Sequence, residues 1–241
     1  MPELNIGTTL ISYSIRKSMK AKHVSLSIGV DGVQVVAPFT MNDSVIISLV
    51  EGKQNSIFSK FKAYRQRHMH TRAEREFVSG EKLLFMDNNY PLKVVEHKGC
   101  HTNVSLTDGQ FLIAINTDLP IEKRREEIKG KLEQWYIGRA KDLFTERLEF
   151  FSNRIGVEFN LVKLKNQRTR WGSCSQKGNL NFNWRIAMAP LFIVDYIVVH
   201  ELCHLKQMNH SPEFWLLVES QISDYKIMRK WLKQNGSNLY L

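Results

Sequence analysis

The chain has 241 residues and a formal net charge of +10, with 43% hydrophobic and 24% charged residues. These proportions are ordinary for a soluble globular protein and exclude disordered, collagen-like and coiled-coil chains. No apolar run approaches the roughly 20 residues that a membrane span requires, and the N-terminus shows no secretion signal. The three cysteines are odd in number and widely spaced, which favours a reducing compartment. We therefore predict a cytoplasmic protein without a membrane partner.

Most of the positive excess lies in the C-terminal half of the chain. A basic surface favours anionic partners, so nucleic acid is one predicted partner. No repeat of about 20 to 50 residues is visible, which argues against solenoids and propellers.

The first 119 residues predict a β-rich region with one helix. Short β-branched stretches flank Asp31-Gly32 and Asp108-Gly109. Both pairs predict β-hairpins, because Asp and Gly readily adopt the positive φ that hairpin turns require. Between the hairpins, Asn42 or Asp43 can cap one amphipathic helix that extends to about Phe61. We place a domain boundary after residue 119, which gives regions 1–119 and 120–241.

The second region begins with a long helical pattern, roughly Ile121–Ile155, in which apolar residues recur three or four positions apart. Gly156 follows, and glycine tolerates the left-handed conformation that ends many helices. The segment Asn179–Ile186 alternates apolar and polar residues and predicts a half-buried strand. Its polar side carries Asn181 and Asn183.

A predicted helix from Pro190 to about Lys206 contains His200-Glu201-Leu202-Cys203-His204. Four residues of α-helix place the two imidazoles one turn apart on the same face, where both can reach one metal ion. Glu201 lies to the side of this pair, in a position to hold a water bound to the metal. The pattern therefore predicts a metal-binding histidine pair with a neighbouring carboxylate.

His210 is the predicted third ligand, because the chain can turn back after the helix and bring this imidazole to the same ion. Glu213 and Glu219 are the alternative third ligands, and Glu213 could instead orient a ligand histidine. Three neutral ligands leave a fourth position for water, as in catalytic zinc sites. We predict Zn²⁺ as the cofactor from the imidazole ligands and Glu201 as the general base that takes a proton from the bound water.

Neither of two cysteines near these motifs is predicted to act in catalysis or metal binding. Cys203 lies on the flank of the predicted helix, where a small residue suits packing. Cys174 has the chemistry of a nucleophile, but a metal-activated water makes a nucleophilic thiol unnecessary.

Four motifs of the second region occur together. They are Arg168-Thr169-Arg170-Trp171-Gly172-Ser173-Cys174, the strand Asn179–Ile186, the segment Asp195–Leu205, and Asn209-His210-Ser211-Pro212-Glu213-Phe214-Trp215. Together they resemble the YgjP-like metallopeptidase family, relatives of the SprT-like zinc proteins. The resemblance implies an α+β fold with a zincin-like domain, in which an active-site helix lies under a small antiparallel sheet. It also implies that His200, His204 and His210 bind zinc and that Glu201 catalyses. Residues 85–90 depart from the Leu-Gly turn that similar proteins usually have there.

In the zincin arrangement that this resembles, an extended peptide pairs with the free edge of a strand above the active-site helix. Asn179–Ile186 is the strand that we expect to do so, with Asn181 and Asn183 as predicted substrate contacts. Arg170, together with Arg168, is predicted to bind a substrate carboxylate or to stabilise the oxyanion. Solvated surface is the alternative interpretation of these polar residues.

The predicted function is a zinc-dependent metallopeptidase that hydrolyses peptide or protein substrates with a metal-activated water. The alternative is a nucleic-acid-associated zinc protein that docks through its basic C-terminal half and acts on bound proteins. A structural zinc domain is a third possibility, but such a domain needs no carboxylate beside an open coordination position.

Overall fold

The computed structural model describes residues 2–6, 9–29, 32–69, 75–99, 101–167 and 169–241. The predicted α+β fold is confirmed, and the chain forms two compact units, 1–73 and 74–241. This division differs from the predicted boundary after residue 119, because strands between residues 82 and 116 share a core with the helices that follow them. None of the described helices is both long and apolar enough to cross a membrane.

The first unit contains a four-stranded sheet and two helices. Its elements are β1 (Glu3–Ile6), β2 (Thr9–Ser18), β3 (Ser25–Gly29), β4 (Gly32–Pro38), α1 (Asp43–Glu51) and α2 (Gln54–Met69). The strand order is β1-β2-β4-β3, and only the central pair, β2 and β4, is parallel. We call this the first sheet. The predicted hairpin is confirmed by the β3–β4 pairing, although Val30 and Asp31 at its turn lie outside the described residues.

The single helix predicted for this unit is two helices in the structure. Asn42 caps α1 as expected, since its side-chain oxygen accepts a hydrogen bond from the Asp43 amide at 3.0 Å. Helix α1 ends before Gly52, and helix α2 begins at Gln54. The apolar periodicity continues across this break, so Ile46 and Val50 of α1 and Ile57 of α2 still share one core with the first sheet.

The second unit begins with another four-stranded sheet of the same topology. Its strands are β5 (Lys82–Phe85), β6 (Asn88–His97), β7 (Asn103–Thr107) and β8 (Gln110–Asn116). The order is β5-β6-β8-β7, again with a parallel central pair. We call this the second sheet. Its β7–β8 hairpin confirms the turn predicted at Asp108 and Gly109, which adopt φ values of 50° and 71°.

The long helix α3 spans Ile121–Ile155, as predicted. Gly156 ends it with φ 70° and ψ 57°, the left-handed conformation expected for a glycine at this position. One face of α3 is buried through most of its length. The hydroxyl of Tyr136, on that face, donates a hydrogen bond to the carbonyl of Leu84 at 2.7 Å and so ties α3 to the second sheet.

The remaining elements surround the predicted metal site. They are β9 (Val162–Lys165), β10 (Gly172–Cys174), β11 (Leu180–Asn183), a 3₁₀ segment (Trp184–Met188), α4 (Leu191–Cys203), α5 (Pro212–Gln221) and α6 (Tyr225–Asn235). The three strands form a third sheet in the order β10-β11-β9. This sheet is mixed rather than antiparallel, because β9 runs parallel to β11.

The strand predicted to extend from Asn179 to Ile186 is shorter in the structure. It ends at Asn183, whose side-chain oxygen accepts a hydrogen bond from the Arg185 amide at 3.1 Å and caps the 3₁₀ segment. Trp184 and Ile186 are buried, but as part of that segment and not of the strand. The alternation of apolar residues therefore continues beyond the point where the strand ends.

The turn between β5 and β6 connects the second sheet to this 3₁₀ segment. Met86 and Asp87 both have positive φ, 49° and 65°, which is unfavourable for residues with a side chain. Their amides donate hydrogen bonds to the carbonyls of Ala187 and Met188 at 3.1 and 2.9 Å. These bonds help to stabilise the turn. Residues 85–90, which depart from the Leu-Gly turn of similar proteins, therefore connect the second sheet to the 3₁₀ segment.

Candidate metal centre

Helix α4 is held in place by the apolar core and by one ion pair. Nine of its 13 residues are buried, including Val198 and Leu202. At its N-terminal end, Asp195 pairs with Arg147 of α3 in a two-point contact, with Nε–Oδ1 at 2.6 Å and Nη2–Oδ2 at 3.0 Å. Such paired hydrogen bonds restrict both distance and orientation. The C-terminal end of α4, which carries the predicted ligands, is therefore built on a rigid element.

The three predicted ligand histidines lie together at that end. His200 is in the last turn of α4, His204 is the residue that ends the helix, and His210 precedes α5. Their candidate ligand atoms all lie within 4.8 Å of one another. The Nε2 atoms of His200 and His210 are 3.0 Å apart. In the part of the chain that the structure describes, these imidazoles are the group with the geometry to hold a metal ion.

A hydrogen bond and a stacking contact fix the orientation of the His204 ring. Its Nδ1 lies 3.0 Å from the carbonyl oxygen of Gln207, an arrangement that assigns the ring hydrogen to Nδ1 and leaves Nε2 with a free lone pair. One face of the ring stacks on Phe214 of α5, with centroids 4.4 Å apart and planes at 24°. Both contacts restrict rotation of the imidazole, which suits a metal ligand.

His210 is exposed, and aromatic stacking restricts its ring. The imidazole stacks on Trp215 at 5.5 Å, and Trp215 stacks in turn on Tyr225 at 5.2 Å. The guanidinium carbon of Arg229 lies 4.4 Å from the Trp215 ring centroid. Helices α5 and α6 thus orient the ligand that comes from a loop.

The surroundings of His200 and His204 favour the neutral imidazoles. Burial lowers the pKa of His200 to about 3, with further contributions from His204, His210 and Arg229. Burial also lowers the pKa of His204, against the hydrogen bond to Gln207. A neutral imidazole keeps the lone pair that a metal ion needs. These two rings are therefore available as ligands at neutral pH.

Glu201 is buried beside the histidines, with 5% of its surface exposed. Burial raises the pKa of its carboxyl to about 8, while the positive charge of Arg170 opposes this rise. A cation held by the neighbouring histidines would favour the charged carboxylate in the same way as Arg170. A carboxylate whose ionisation depends on nearby positive charge is suited to proton transfer.

Gly172 of β10 makes room for the Glu201 side chain. A Cβ at this position would lie 2.6 Å from Cγ and 2.8 Å from the carboxyl carbon of Glu201. Those distances are far below normal van der Waals contact, so any side chain here would displace the carboxylate. The glycine of the Trp171-Gly172-Ser173-Cys174 motif therefore lets β10 pass directly against Glu201.

The two carboxylates considered as alternative third ligands lie outside the histidine cluster. Glu213 is exposed, and a hydrogen bond from Ser211 lowers the pKa of its carboxyl. Glu219 lies 3.6 Å from the ammonium of Lys226. Neither belongs to the group of described residues with metal-binding geometry.

The described cysteines have environments that favour the neutral thiol. Burial raises the pKa of Cys203 to about 12, in accordance with its predicted packing role. Burial also raises the pKa of Cys174, and the charge of Glu201 adds to this effect. A thiol that resists ionisation is a poor nucleophile.

The profile of one protein family, described as YgjP-like, metallopeptidase domain, matches residues 22–235. The chain belongs to the YgjP-like family. The resemblance is therefore confirmed, and membership implies a hydrolase with a metal cofactor. No curated protein matches the chain. Among solved structures, it is similar to the crystal structure of the metallopeptidase zymogen of Pyrococcus abyssi abylysin, with 24% identity, a TM-score of 0.35, and coverage of 37% of this chain and 93% of that one.

The strand predicted to bind substrate in this YgjP-like domain is not an edge strand. β11, which contains Asn181 and Asn183, is the central strand of the third sheet and is paired on both sides. It therefore has no free edge for a peptide, and the prediction is wrong on this point. The edge strand beside Glu201 is β10, which follows Arg170 and Trp171.

The residues of the YgjP-like domain predicted to contact substrate differ from one another in their surroundings. The Asn181 amide donates a hydrogen bond to Ser173 Oγ across the sheet at 3.2 Å. Asn183 is buried, and its amide nitrogen donates to the Gln167 carbonyl at 2.7 Å. Both asparagines thus make hydrogen bonds within the fold. Arg170 is exposed and acts electrostatically on Glu201, whereas Arg168 lies outside the described residues.

Several contacts that shape the site are absent from the sequence predictions. They are Gly172 against Glu201, Phe214 behind His204, and the Trp215–Tyr225 stack behind His210. Phe214 and Trp215 follow His210 by four and five residues, so their position in the next helix is a usable signal. The contact of Gly172 joins residues from separate elements, and the sequence carries no sign of it.

Proposed function

We propose that this protein is a zinc-dependent peptidase. His200, His204 and His210 hold the ion, and Glu201 acts as the general base. The observation that carries this proposal is the convergence of three imidazoles next to a buried carboxylate. Family membership supports the class of reaction.

The donor set fits zinc. A tetrahedral site with Zn–N bonds of about 2.0–2.1 Å places its ligand nitrogens about 3.3 Å apart. The separation of 3.0 Å between His200 Nε2 and His210 Nε2 is close to that value, and the third ligand atom is within 4.8 Å of both. Small movements of the imidazoles would complete the geometry. Three neutral nitrogen ligands are also the composition of many catalytic zinc sites.

Glu201 supplies the proton transfers. When bound, zinc would lower the pKa of a water molecule and polarise the scissile carbonyl. The Glu201 carboxylate accepts the proton of the attacking water and then delivers it to the leaving amine. Glu201 follows the proposed ligand His200 in the sequence, and its side chain lies against β10. Gly172 preserves this position because it brings no Cβ into the space that the carboxylate occupies.

We further propose that substrate adds to the edge of β10. An extended peptide can hydrogen-bond to an unpaired strand edge through its main chain. β10 is at the edge of the third sheet, and Gly172 within it contacts Glu201. A peptide on this edge would therefore pass close to the general base. Main-chain recognition of this kind places few demands on the substrate sequence.

The decisive experiment compares the wild type with Glu201→Gln for zinc content and for hydrolysis of a broad peptide library. We expect the variant to retain about one zinc per chain and to lose at least roughly 100-fold in turnover, since it lacks a general base. Glu219→Gln, which removes an exposed carboxylate of α5, is the matched control and should keep both properties. Equal activity of the wild type and Glu201→Gln would refute the mechanism.

The nucleic-acid-associated alternative stays a prediction, as does the cytoplasmic location. Docking on phosphates would give binding that weakens steeply with salt, since bound counterions are released. Titration of the protein with duplex DNA at two salt concentrations distinguishes this alternative from a peptidase without affinity for nucleic acid.

A further inference from the structure

A small pocket lies next to β10 and is lined by basic and aromatic side chains. Its volume is about 90 Å³, and its lining includes Gln167, Thr169, Arg170, Trp171, Arg185 and Tyr240. We call it the Arg185 pocket. It is large enough for a carboxyl group with an adjoining methylene, and none of the three ligand histidines lines it.

The guanidinium of Arg185 is held in one orientation. Its carbon lies 4.7 Å from the ring centroid of Trp184 and 4.9 Å from that of Tyr240, so it contacts both aromatic rings. Its Nε donates a hydrogen bond to Asn166 Oδ1 at 2.9 Å. A guanidinium fixed in this way has little conformational entropy left to lose when it binds an anion.

This guanidinium has an unsatisfied donor. Its Nη1 atom is buried and has no hydrogen-bond partner among the described residues, and burial lowers the pKa of Arg185. The negative charge of Glu133 opposes this lowering of the pKa. Among the described residues, however, Glu133 and Arg185 do not form a direct ion pair. Arg185 as a whole is half-buried, but a buried N–H group without an acceptor is unfavourable, and an anion would supply that acceptor.

Gln167, which also lines the pocket, carries a second unsatisfied polar atom. The side-chain oxygen of Gln167 is buried, and within the described ranges it has no hydrogen-bond partner. A half-turn of the amide exchanges its oxygen and nitrogen, so Gln167 can also present its NH₂ group to the pocket. Thr169 and Arg170 add further donor side chains to the lining of the pocket. This is the composition of a site for a carboxylate.

The Arg185 pocket adjoins the proposed active site through consecutive residues. Trp171 lines the pocket, and Gly172, the next residue, contacts Glu201. Arg170, also in the lining, acts electrostatically on Glu201. The Trp171 indole packs against Gly236, where a Cβ would lie 2.9 Å from Cζ2. A peptide on β10 would therefore bind beside a strand whose two preceding residues, Arg170 and Trp171, line the pocket.

We propose that the Arg185 pocket binds a carboxylate of the substrate and gives the enzyme a preference for acidic peptides. This inference rests on the proposed peptidase function. The carboxylate comes either from an Asp or Glu side chain or from the C-terminus of the peptide. Both present the same planar group to the guanidinium, so the experiment must distinguish them.

The test uses two sets of matched fluorogenic peptides. In one set, Glu is replaced by Gln at each position around the scissile bond; in the other, a free C-terminal acid is replaced by the amide. We expect the wild type to prefer the acidic member of one set by about 10- to 100-fold in kcat/KM, as for a charge-assisted hydrogen bond. The set that shows the preference identifies the source of the carboxylate.

Arg185→Gln should reduce this preference to nearly one, and Arg139→Gln, on an exposed position of α3, is the matched control that should retain it. If Arg185→Gln fails to fold, Arg185→Lys keeps the charge but loses the planar fork, and should lower the preference at least several-fold. Calorimetric binding of both peptide sets to Glu201→Gln gives the same comparison without turnover.

Three outcomes are distinguishable. Hydrolysis without any acidic preference would overturn the pocket assignment and leave the peptidase proposal intact. An acidic preference that survives in Arg185→Gln would also overturn the assignment. Absence of hydrolysis with every peptide would refute the proposed function, and acid-selective binding to Glu201→Gln would then still support the pocket as a carboxylate site.

Discussion

The first and second sheets have the same strand order and strand directions, but their surroundings differ. The first sheet packs with α1 and α2 in a core of its own. The core of the second sheet continues through α3 into the 3₁₀ segment and α4. One strand arrangement therefore serves as a self-contained unit in one part of the chain and as a support for the metal centre in another.

Contacts beyond the strand pairing connect the second sheet to the site. The turn amides of Met86 and Asp87 bind carbonyls of the 3₁₀ segment, and Tyr136 joins α3 to β5. Phe111 of β8 packs against Trp135 and Tyr136, with ring centroids 4.8 and 5.9 Å away. The comparison teaches that strand topology alone does not assign a function to a sheet. The role of each sheet depends on the elements that pack against it.

The largest expected effect is a difference in stability and zinc retention between substitutions at equivalent core positions of the two sheets. Phe111→Ala should lower the free energy of unfolding by about 3–5 kcal/mol and weaken zinc retention, because its aromatic contacts lie between the sheet and α3. Val33→Ala, at the corresponding position of the first sheet, removes two methyl groups, so about 1.5–2 kcal/mol is expected with zinc retained. Denaturation curves and zinc content after dialysis test the pair. Equal zinc loss in both variants would contradict the distinction.

Metal removal should act on the two sheets unequally. With free zinc at about 100 times its dissociation constant, binding stabilises the folded state by about 2.7 kcal/mol, and a chelator removes this contribution. We expect amide hydrogen exchange to accelerate in α4 and β8 and to change little in β4. His210→Ala serves as the control, since it should already exchange like the chelated wild type. A uniform increase across both sheets would show that the comparison is mistaken.

The smallest effects concern the hairpin glycines. Gly109 has φ 71° and open space where a methyl group would lie, so Gly109→Ala should cost only about 1 kcal/mol of stability. Gly32 has φ 111°, and a Cβ there would lie 3.0 Å from the Ser12 carbonyl oxygen, so Gly32→Ala should cost about 2 kcal/mol. Thermal unfolding measures both, and a larger loss for Gly109→Ala would reverse the expected order.

Local patterns predict several elements well. The bounds of α3 and its glycine end agree with the periodicity, and the β7–β8 hairpin agrees with the Asp108-Gly109 turn. These features depend on residues close together in the chain. The shared topology of the two sheets gives no such signal, because corresponding strands lie farther apart in the chain than the roughly 20 to 50 residues of common repeats.

Non-local features are predicted less well. The alternation after Asn179 predicts a strand, and the zincin resemblance implies that this strand has a free edge. In the structure, β11 is hydrogen-bonded on both sides by segments elsewhere in the chain. Arg185 stands out in the sequence only as a polar position of that strand, whereas its pocket requires Trp184 and the distant Tyr240. Pairing partners and pocket walls cannot be inferred from the period of one segment.

The sequence by itself determined the reactive groups of this protein: two histidines one helical turn apart, a carboxylate between them, a third histidine before the next helix, and the family to which they belong. Helical geometry is local, so residue spacing suffices to place such groups on one face. Only the tertiary structure decided that β10 is the edge strand, that Gly172 makes space for Glu201, and that Arg185 contacts two aromatic rings. Each of these depends on which distant segments pack together, and burial and packing act between neighbours in space irrespective of their separation along the chain.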